Sequence, residues 1–447
     1  MLCRREIFVC VVVMTGVSVI VVFLALFSVS TLILNLAIPT VEPNMRVHAD
    51  NTTVLLPVEL GSSAYYSLPT TQKAIISQIR DDNLLLQSII ANPYGLFAQF
   101  EMRGILVYLP PGSDQYNAEL KALLLSVAIM RVGQTAHTRT DLLVGTPPGD
   151  WSFLYSIDCI AKARTNFDEP EACRIVSYVP LADRPADHPL LLYKGYVDSV
   201  LVLAEFNNTA NYDFLLRTDI DTLVTPAFAA ANLLPASIVI ATGLAGYNSE
   251  VAIRHLNWMM KKVGLENVGD VPGEVSVGIG STWFGRSAVL VALAKLSVSS
   301  MIWLHTQEFT EYERGPASTD GWPNWHWPVL TMYGGHVAVK QVRNSAAYRT
   351  TLNDADPVKL DQGTNSIQPL ANNIIHIHCW HTEEIFSKFA FHRGDYVNIS
   401  LLPYLDMNTT QSFAMTVAIS SSRLTPQKLA LLVKNYTAIS NKEWIRV

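Results

Sequence analysis

The sequence has little charge and lacks several common binding motifs. Asp, Glu, Lys and Arg make up 16% of the 447 residues, where an average soluble domain has roughly a quarter. The net charge is −6 and no basic block occurs, which argues against nucleic acid as a partner. No Cys-x-x-Cys pair is present for a zinc ribbon. The glycine-rich residues 273–285 lack the Gly-x-Gly-x-x-Gly or Lys-Ser/Thr pattern of a dinucleotide or phosphate loop.

A long uncharged segment near the N-terminus accounts for much of the low charge content. Residues 7–38 contain no charged side chain, and 25 of these 32 residues are hydrophobic. This run is about twice the apolar core of a cleaved signal peptide and is long enough to cross a bilayer with tilt. Arg4 and Arg5 precede it, so the positive-inside rule predicts a cytoplasmic N-terminus. We expect a single-pass type II signal-anchor, with a cleaved signal peptide as the alternative.

Glycosylation sequons and cysteines favour the lumen of the secretory pathway. Cys159 and Cys173 could close a short loop in an oxidising compartment, which would leave Cys379 over. The Asn-x-Ser/Thr sequons, at which we expect N-glycosylation, are Asn51, Asn207, Asn398, Asn408 and Asn435. Together with the N-terminal run they predict a Golgi or ER membrane protein whose main domain is luminal.

Apolar strand patterns alternate with helix patterns through most of the chain. Strands are predicted at residues 104–109, 141–144, 174–179, 212–216 and 237–242. Helices are predicted at residues 71–89, 116–132, 193–205, 249–264, 286–296 and 425–434. Continuous apolar strands alternating with helices indicate an α/β fold whose mostly parallel sheet is covered on both faces.

The same patterns suggest how the chain is divided. The predicted segments are a cytoplasmic tail at 1–6, the anchor at 7–38, a stem at 39–70, a catalytic domain at 71–395 and a C-terminal appendage at 396–447. The stem is rich in Pro, Thr, Ser and Asn, a composition that suits a spacer between membrane and domain.

The most informative motif is an Asp-x-Asp triplet directly after an apolar strand. Residues 212–221 read Tyr-Asp-Phe-Leu-Leu-Arg-Thr-Asp-Ile-Asp, so Asp219 and Asp221 follow the strand at its carboxyl end. Open α/β sheets bind their ligands at that end of their strands. Two carboxylates so close together need a positive partner, and a divalent ion that bridges a diphosphate is the obvious one.

Residues 212–221 resemble the strand and Asp-x-Asp signature of GT-A fold glycosyltransferases, especially the β1,3-galactosyl and N-acetylglucosaminyl type. The resemblance implies a GT-A-like fold, a UDP-sugar donor and Mn²⁺, or Mg²⁺, as cofactor. It implies that Asp221 binds the metal with Asp219 beside it. A histidine late in the domain completes the metal site in such enzymes, so His378 or His376 is expected here. By its position in such folds, the resemblance also implies Lys194 as a neighbour of the nucleotide.

Other candidate residues follow from chemistry. Lys388, just after the histidines, could meet a donor phosphate. Trp322, Trp325 and Trp327 form a cluster suited to stacking on the sugar rings of an acceptor, with ordinary packing as the alternative. The predicted general base for the acceptor hydroxyl is Asp320, with Glu308 or Glu311 as alternatives.

These features predict a metal-dependent glycosyltransferase that acts on a glycan or glycoprotein hydroxyl. Two other classes stay open. Asp-Ile-Asp-Thr also resembles the nucleophile motif of haloacid-dehalogenase phosphatases, in which Asp219 would be the nucleophile. A non-catalytic luminal carbohydrate-binding membrane protein would keep the tryptophans and the sequons but would not depend on a nucleotide.

Overall fold

A computed structural model describes most of the chain from residue 68 onward. The described residues are 68–91, 101–230, 249–265, 280, 282–311, 313, 325, 327–344, 362–363, 369–370, 374–379, 385–435 and 439–440. The predicted anchor, the stem up to residue 67 and the predicted strand at 237–242 lie outside them. So do the predicted site residues Asn51, Asp320 and Trp322.

Strands and helices alternate along the described chain. The strands are β1 (Glu101–Tyr108), β2 (Thr138–Thr146), β3 (Cys159–Ile160), β4 (Cys173–Ser177), β5 (Phe214–Arg217), β6 (Thr222–Val224), β7 (Trp283–Arg286), β8 (Gln362–Gly363) and β9 (His376–His378). The helices are α1 (Thr70–Ala91), α2 (Asp114–Arg131), α3 (Ser152–Ser156), α4 (Asp198–Ala204), α5 (Ala227–Ala230), α6 (Glu250–Val263), α7 (Ser287–Trp303), α8 (Leu330–Asn344), α9 (Lys388–His392), α10 (Thr410–Arg423) and α11 (Pro426–Lys434).

Six strands form the main sheet in the order β3-β4-β2-β1-β5-β7. Every neighbouring pair is parallel except β5 and β7, which run antiparallel. The predicted α/β class with a mostly parallel, mixed sheet is confirmed. The chain moves from β1 to β2 on one side and later places β5 on the other side of β1. That reversal creates a crevice at the carboxyl ends of β1 and β5, where ligands bind in such sheets.

Helices cover both faces of this sheet, as predicted. Leu106 and Leu143 point to one face, where they share a core with α1, α4, α6, α7 and α8. Ile105, Val107 and Val144 point to the other face and pack with α2, α10 and α11. Because alternate strand residues enter different cores, the strands must be apolar at almost every position.

The last part of the chain belongs to the second core. Helix α10, which the sequence patterns did not indicate, packs against α2, and so does α11. The predicted start of α11 is confirmed, because the Thr425 side chain caps the helix and Pro426 is its first residue. The domain boundary predicted between residues 395 and 396 stays a prediction.

Two further local features bear on the sequence predictions. Cys159 and Cys173 form a disulfide that joins β3 to β4, and Cys379 is buried beside β9. Among the described helices, the stretch Ser287–Glu308 is long and apolar enough to cross a membrane, but 78% of its apolar window is buried inside the protein. Such burial is typical of a core helix of a globular domain.

Close contact between β2 and α4 depends on a glycine. A Cβ atom at Gly145 would collide with Cγ2 of Val202 on α4. We expect Gly145→Ala to lower the free energy of unfolding by about 1–3 kcal/mol, because α4 would have to move away from the sheet. Urea unfolding measures this change. Gly133→Ala is the matched control, because its Cβ would meet nothing closer than 3.6 Å, and equal effects of the two variants would contradict the prediction.

Candidate metal and nucleotide site

The Asp-x-Asp triplet lies in the tight connection between the two sheets. Strand β5 ends at Arg217, and the chain passes through Asp219 and Asp221 before β6 begins at Thr222. In the small sheet, β6 pairs antiparallel with β9, and Thr222 lies opposite His378. The backbone N–H of Cys379 also donates to the carbonyl oxygen of Asp221 at 3.0 Å. This pairing brings the late histidine segment to the carboxylates.

Three of the four predicted metal ligands come together here. A carboxylate oxygen from each of Asp219 and Asp221 and a ring nitrogen of His378 all lie within 4.8 Å of one another. The side chain of Asp219 is 36% exposed and that of Asp221 only 10%, so the group opens to solvent on its Asp219 side. Two carboxylates and an imidazole form a donor set that fits Mn²⁺, and with more water ligands Mg²⁺.

A lysine and an imidazole already lie next to Asp221. Nζ of Lys388 lies 2.8 Å from Oδ2 of Asp221, and Nε2 of His378 lies 3.6 Å from the same oxygen. Burial raises the pKa of Asp221, but His378 and Lys388 outweigh that effect and hold its pKa below the usual range. Asp221 is therefore ionised at neutral pH, as a metal ligand must be.

A second carboxylate lies behind Lys388. Glu119, on α2, is buried, and its Oε1 lies 3.4 Å from Nζ of Lys388 and 2.6 Å from Nε2 of His392. Burial raises the pKa of Glu119, while Lys388 opposes that shift. The sequence analysis missed Glu119 and His392. His392 follows Lys388 at helical i, i+4 spacing, but nothing in the sequence connects α2 to either residue.

The strand end that carries the triplet is rigidly held. The guanidinium of Arg217 lies over the ring of Trp283 at 5.3 Å from its centroid, and its Nε donates to the carbonyl oxygen of Ser199. One of its NH2 groups lies 3.5 Å from Oδ1 of Asp219. The buried Arg217 side chain thus links β5, β7 and α4 and faces the more exposed carboxylate.

His376 occupies a different position from His378. It is fully buried, and its Nε2 lies 2.7 Å from Oγ1 of Thr218. Its Nδ1 lies 3.4 Å from Oγ1 of Thr282. The structure therefore places His376 beneath the triplet, where it supports the loop, and outside the group of potential ligands.

Two of the three tryptophans predicted to stack on sugar rings, Trp325 and Trp327, lie in the described part of the chain. Trp325 is buried and stacks against the rings of Phe309 and Tyr333, with centroid distances of 4.6 and 4.7 Å. Trp327 is partly buried and meets the ring of Tyr193 edge to face. These positions favour the packing alternative for Trp325 over a sugar-stacking role.

The remaining candidates are Glu308, Glu311, Lys194 and the sequon asparagines. Glu308 is engaged by Nζ of Lys262 at 3.0 Å and by Nε1 of Trp303 at 2.9 Å, which disfavours it as a general base. Glu311 and Lys194 are exposed. The described sequon asparagines are all exposed, namely Asn207, Asn398, Asn408 and Asn435. Their glycosylation stays a prediction.

A family model described as "Domain of unknown function (DUF7164)" matches residues 98–446. The chain belongs to this family. The DUF7164 region contains both sheets and every residue of the candidate site. No curated protein matches the chain. Among solved structures, it is similar to the apo form of mouse Xyloside xylosyltransferase 1, with 13% identity, 59% of this chain and 87% of that chain covered, and a TM-score of 0.29. That similarity is too distant to carry an argument about function.

The two histidines of β9 provide a matched test of the metal site. We expect His378→Ala to weaken Mn²⁺ binding at least about tenfold, because it removes one of three protein ligands. His376→Ala should lower thermal stability and leave Mn²⁺ affinity within a few-fold of that of the wild type, because His376 contacts Thr218 and not the carboxylates. Titration of Mn²⁺ followed by electron paramagnetic resonance measures both affinities. Equal losses in the two variants would contradict this assignment.

Proposed function

We propose that this protein is a metal-dependent glycosyltransferase that moves a sugar from a nucleoside-diphosphate donor, a UDP-sugar, to a glycan or glycoprotein hydroxyl. The observation that carries the proposal is the grouping of Asp219, Asp221 and His378 at the carboxyl end of β5. That position is the ligand-binding edge of an open α/β sheet, next to the strand where the chain reverses its order.

The charge distribution supports a diphosphate as the ligand. The chain has a net charge of −6, so a nucleotide must be attracted by local positive charge. When bound, Mn²⁺ or Mg²⁺ would supply positive charge that offsets the negative charge growing on the leaving diphosphate. Asp219, Asp221 and His378 would hold the metal ion, and Lys388, 15% exposed beside Asp221, would meet a phosphate oxygen. Lys194 is proposed as a further nucleotide neighbour.

The transfer requires an acceptor hydroxyl near the anomeric carbon of the donor sugar. A new bond forms from the acceptor oxygen to that carbon, the carbon–oxygen bond to the diphosphate breaks, and the acceptor proton passes to a base. We propose Asp320 for the base. Trp322 and Trp327 are the proposed acceptor contacts that remain, since Trp325 lies in the core.

We further propose that the domain lies in the lumen of the Golgi or ER behind a type II signal-anchor at residues 7–38. The uncharged run, the Cys159–Cys173 disulfide and the four exposed sequon asparagines support this location. The acceptor in such a compartment would be a glycan or a glycoprotein.

Asp221→Ala tests the proposed function. We expect it to abolish Mn²⁺-dependent binding of UDP, because it removes the ligand that His378 and Lys388 surround. Isothermal titration of UDP with and without Mn²⁺ measures the loss. Asp395→Asn is the control, because Asp395 is exposed and pairs only with Arg393 in the described part of the chain.

Two outcomes would contradict the proposal. The first is unchanged Mn²⁺-dependent UDP affinity in a folded Asp221→Ala protein. The second is wild-type protein that binds no UDP with Mn²⁺ and instead hydrolyses a phosphate ester through a phosphorylated Asp219, as a haloacid-dehalogenase phosphatase would. Thermal melting of each variant establishes that it is folded.

A further inference from the structure

One charged group of the site has a role that metal binding alone does not explain. Lys388 lies between two carboxylates, 2.8 Å from Oδ2 of Asp221 and 3.4 Å from Oε1 of Glu119. Asp221 belongs to the potential metal ligands, whereas Glu119 lies deeper, on α2. The ammonium therefore contacts the oxygen atom that His378 also approaches, at the place where a divalent ion would need a ligand.

One of the two carboxylate oxygens of Glu119 is available for a further hydrogen bond. Its side chain is 3% exposed, and its Oε2 is buried with no hydrogen-bond partner in the described part of the chain. A buried carboxylate oxygen without a hydrogen-bond partner lowers the stability of the folded protein, so its presence calls for an explanation. Both Lys388 and His392 approach the other oxygen, Oε1, which leaves Oε2 able to take a stronger contact from the ammonium.

An ammonium group has three N–H donors. Asp221 and Glu119 are the two acceptors that Lys388 meets in the residues described here. If a metal ion takes the place of Lys388 at Asp221, the ammonium can stay paired with Glu119 and still donate a hydrogen bond to a phosphate. If Glu119 were absent, Asp221 would be the one carboxylate left next to Lys388 among the described residues, and a metal ion would compete with Lys388 for it.

We propose that Lys388 is an exchangeable counter-ion of the metal site, which pairs with Asp221 when no metal is bound and is retained by Glu119 when the metal takes Asp221. Glu119 is a positioning residue in this exchange and does not touch the metal. The inference rests on the proposed function, because the metal and diphosphate are those of the proposed transfer. It assigns opposite effects to Lys388, which hinders the metal alone and helps the nucleotide.

Lys388→Met separates these two effects. We expect the variant to bind Mn²⁺ alone about tenfold more tightly and to bind UDP in the presence of saturating Mn²⁺ about tenfold more weakly. Calorimetric titration of Mn²⁺, and then of UDP, measures both. Lys428→Met is the matched control, because Lys428 is exposed on α11, and both affinities should stay at the wild-type values. Lys388→Arg keeps the positive charge and serves if Lys388→Met does not fold; it should leave Mn²⁺ affinity within a few-fold of wild type.

Glu119→Gln tests the second half of the exchange. We expect this variant to bind Mn²⁺ alone more weakly, because Lys388 loses the second of the two carboxylates that it meets in the described residues and pairs more strongly with Asp221. In the double variant Lys388→Met, Glu119→Gln, the loss should disappear, since Glu119 acts through Lys388. If Glu119 acted on the metal through its own charge, the double variant would bind Mn²⁺ more weakly than Lys388→Met by the same factor, which would overturn the positioning role.

Failure of this inference is distinct from failure of the proposed function. Wild-type protein that binds Mn²⁺ and UDP, together with a folded Lys388→Met protein whose Mn²⁺ affinity is unchanged or lower, would overturn the exchange alone. Wild-type protein that binds no Mn²⁺ would overturn the metal site and the exchange with it.

Discussion

The site depends on how the negative charge of Asp221 is compensated. A carboxylate that is 90% buried at the edge of an apolar sheet is stable only with positive charge close to it. Lys388 supplies that charge, and the imidazole of His378 approaches the same oxygen from a separate segment. The β6–β9 pairing, the position of α9 and the burial of Glu119 on α2 all serve to keep these groups around Asp221. A divalent ion would satisfy the same carboxylate more fully.

Much of the fold followed from the sequence, because parallel strands covered on both faces must be continuously apolar. The strands β1, β2, β4 and β5 were predicted within a few residues for that reason. Strand β9 lies within residues 374–381, where the sequence pattern is strand-like with His376 and His378 on one face. The short strands β6 and β8 and the antiparallel pairing of β7 were not predicted, because strands of two to four residues are too short to show a period. Helix α10 was also missed, because its buried face includes Thr410, Ser412 and Thr416 and it shows little apolar periodicity.

The site could be predicted only as far as residue types and local spacing allow. Asp219 and Asp221 are adjacent to a strand, and the sequence shows that directly. The choice between His376 and His378 depends on the register of β6 against β9, which places Thr222 opposite His378. Glu119 could not be identified, because it reaches Lys388 only through the packing of α2 against the far end of the chain. For Trp325 the sequence left sugar stacking and ordinary packing open, and the rings of His255, Phe309 and Tyr333 that stack against it favour packing.

A second buried ionic group in the same domain shows what a purely structural cluster looks like. Asp141, near the start of β2, accepts from Nε of both Arg164 and Arg174, from the hydroxyl of Tyr212, and from the backbone N–H of Ala172. A second donor of Arg164 reaches its other oxygen, so both oxygens are fully used.

Burial raises the pKa of Asp141, but its arginine partners outweigh that effect and hold the pKa below the usual range. The site around Asp221 differs, because one buried oxygen of Glu119 has no hydrogen-bond partner among the described residues and Asp219 faces solvent. The hydrogen bonds to Asp141 join β2 to the segments that carry Arg164, Arg174 and Tyr212 and so stabilise the fold. At the carboxyl end of β5, by contrast, Asp219 faces solvent beside Asp221 and His378, and this grouping is the structural reason to place function at Asp221.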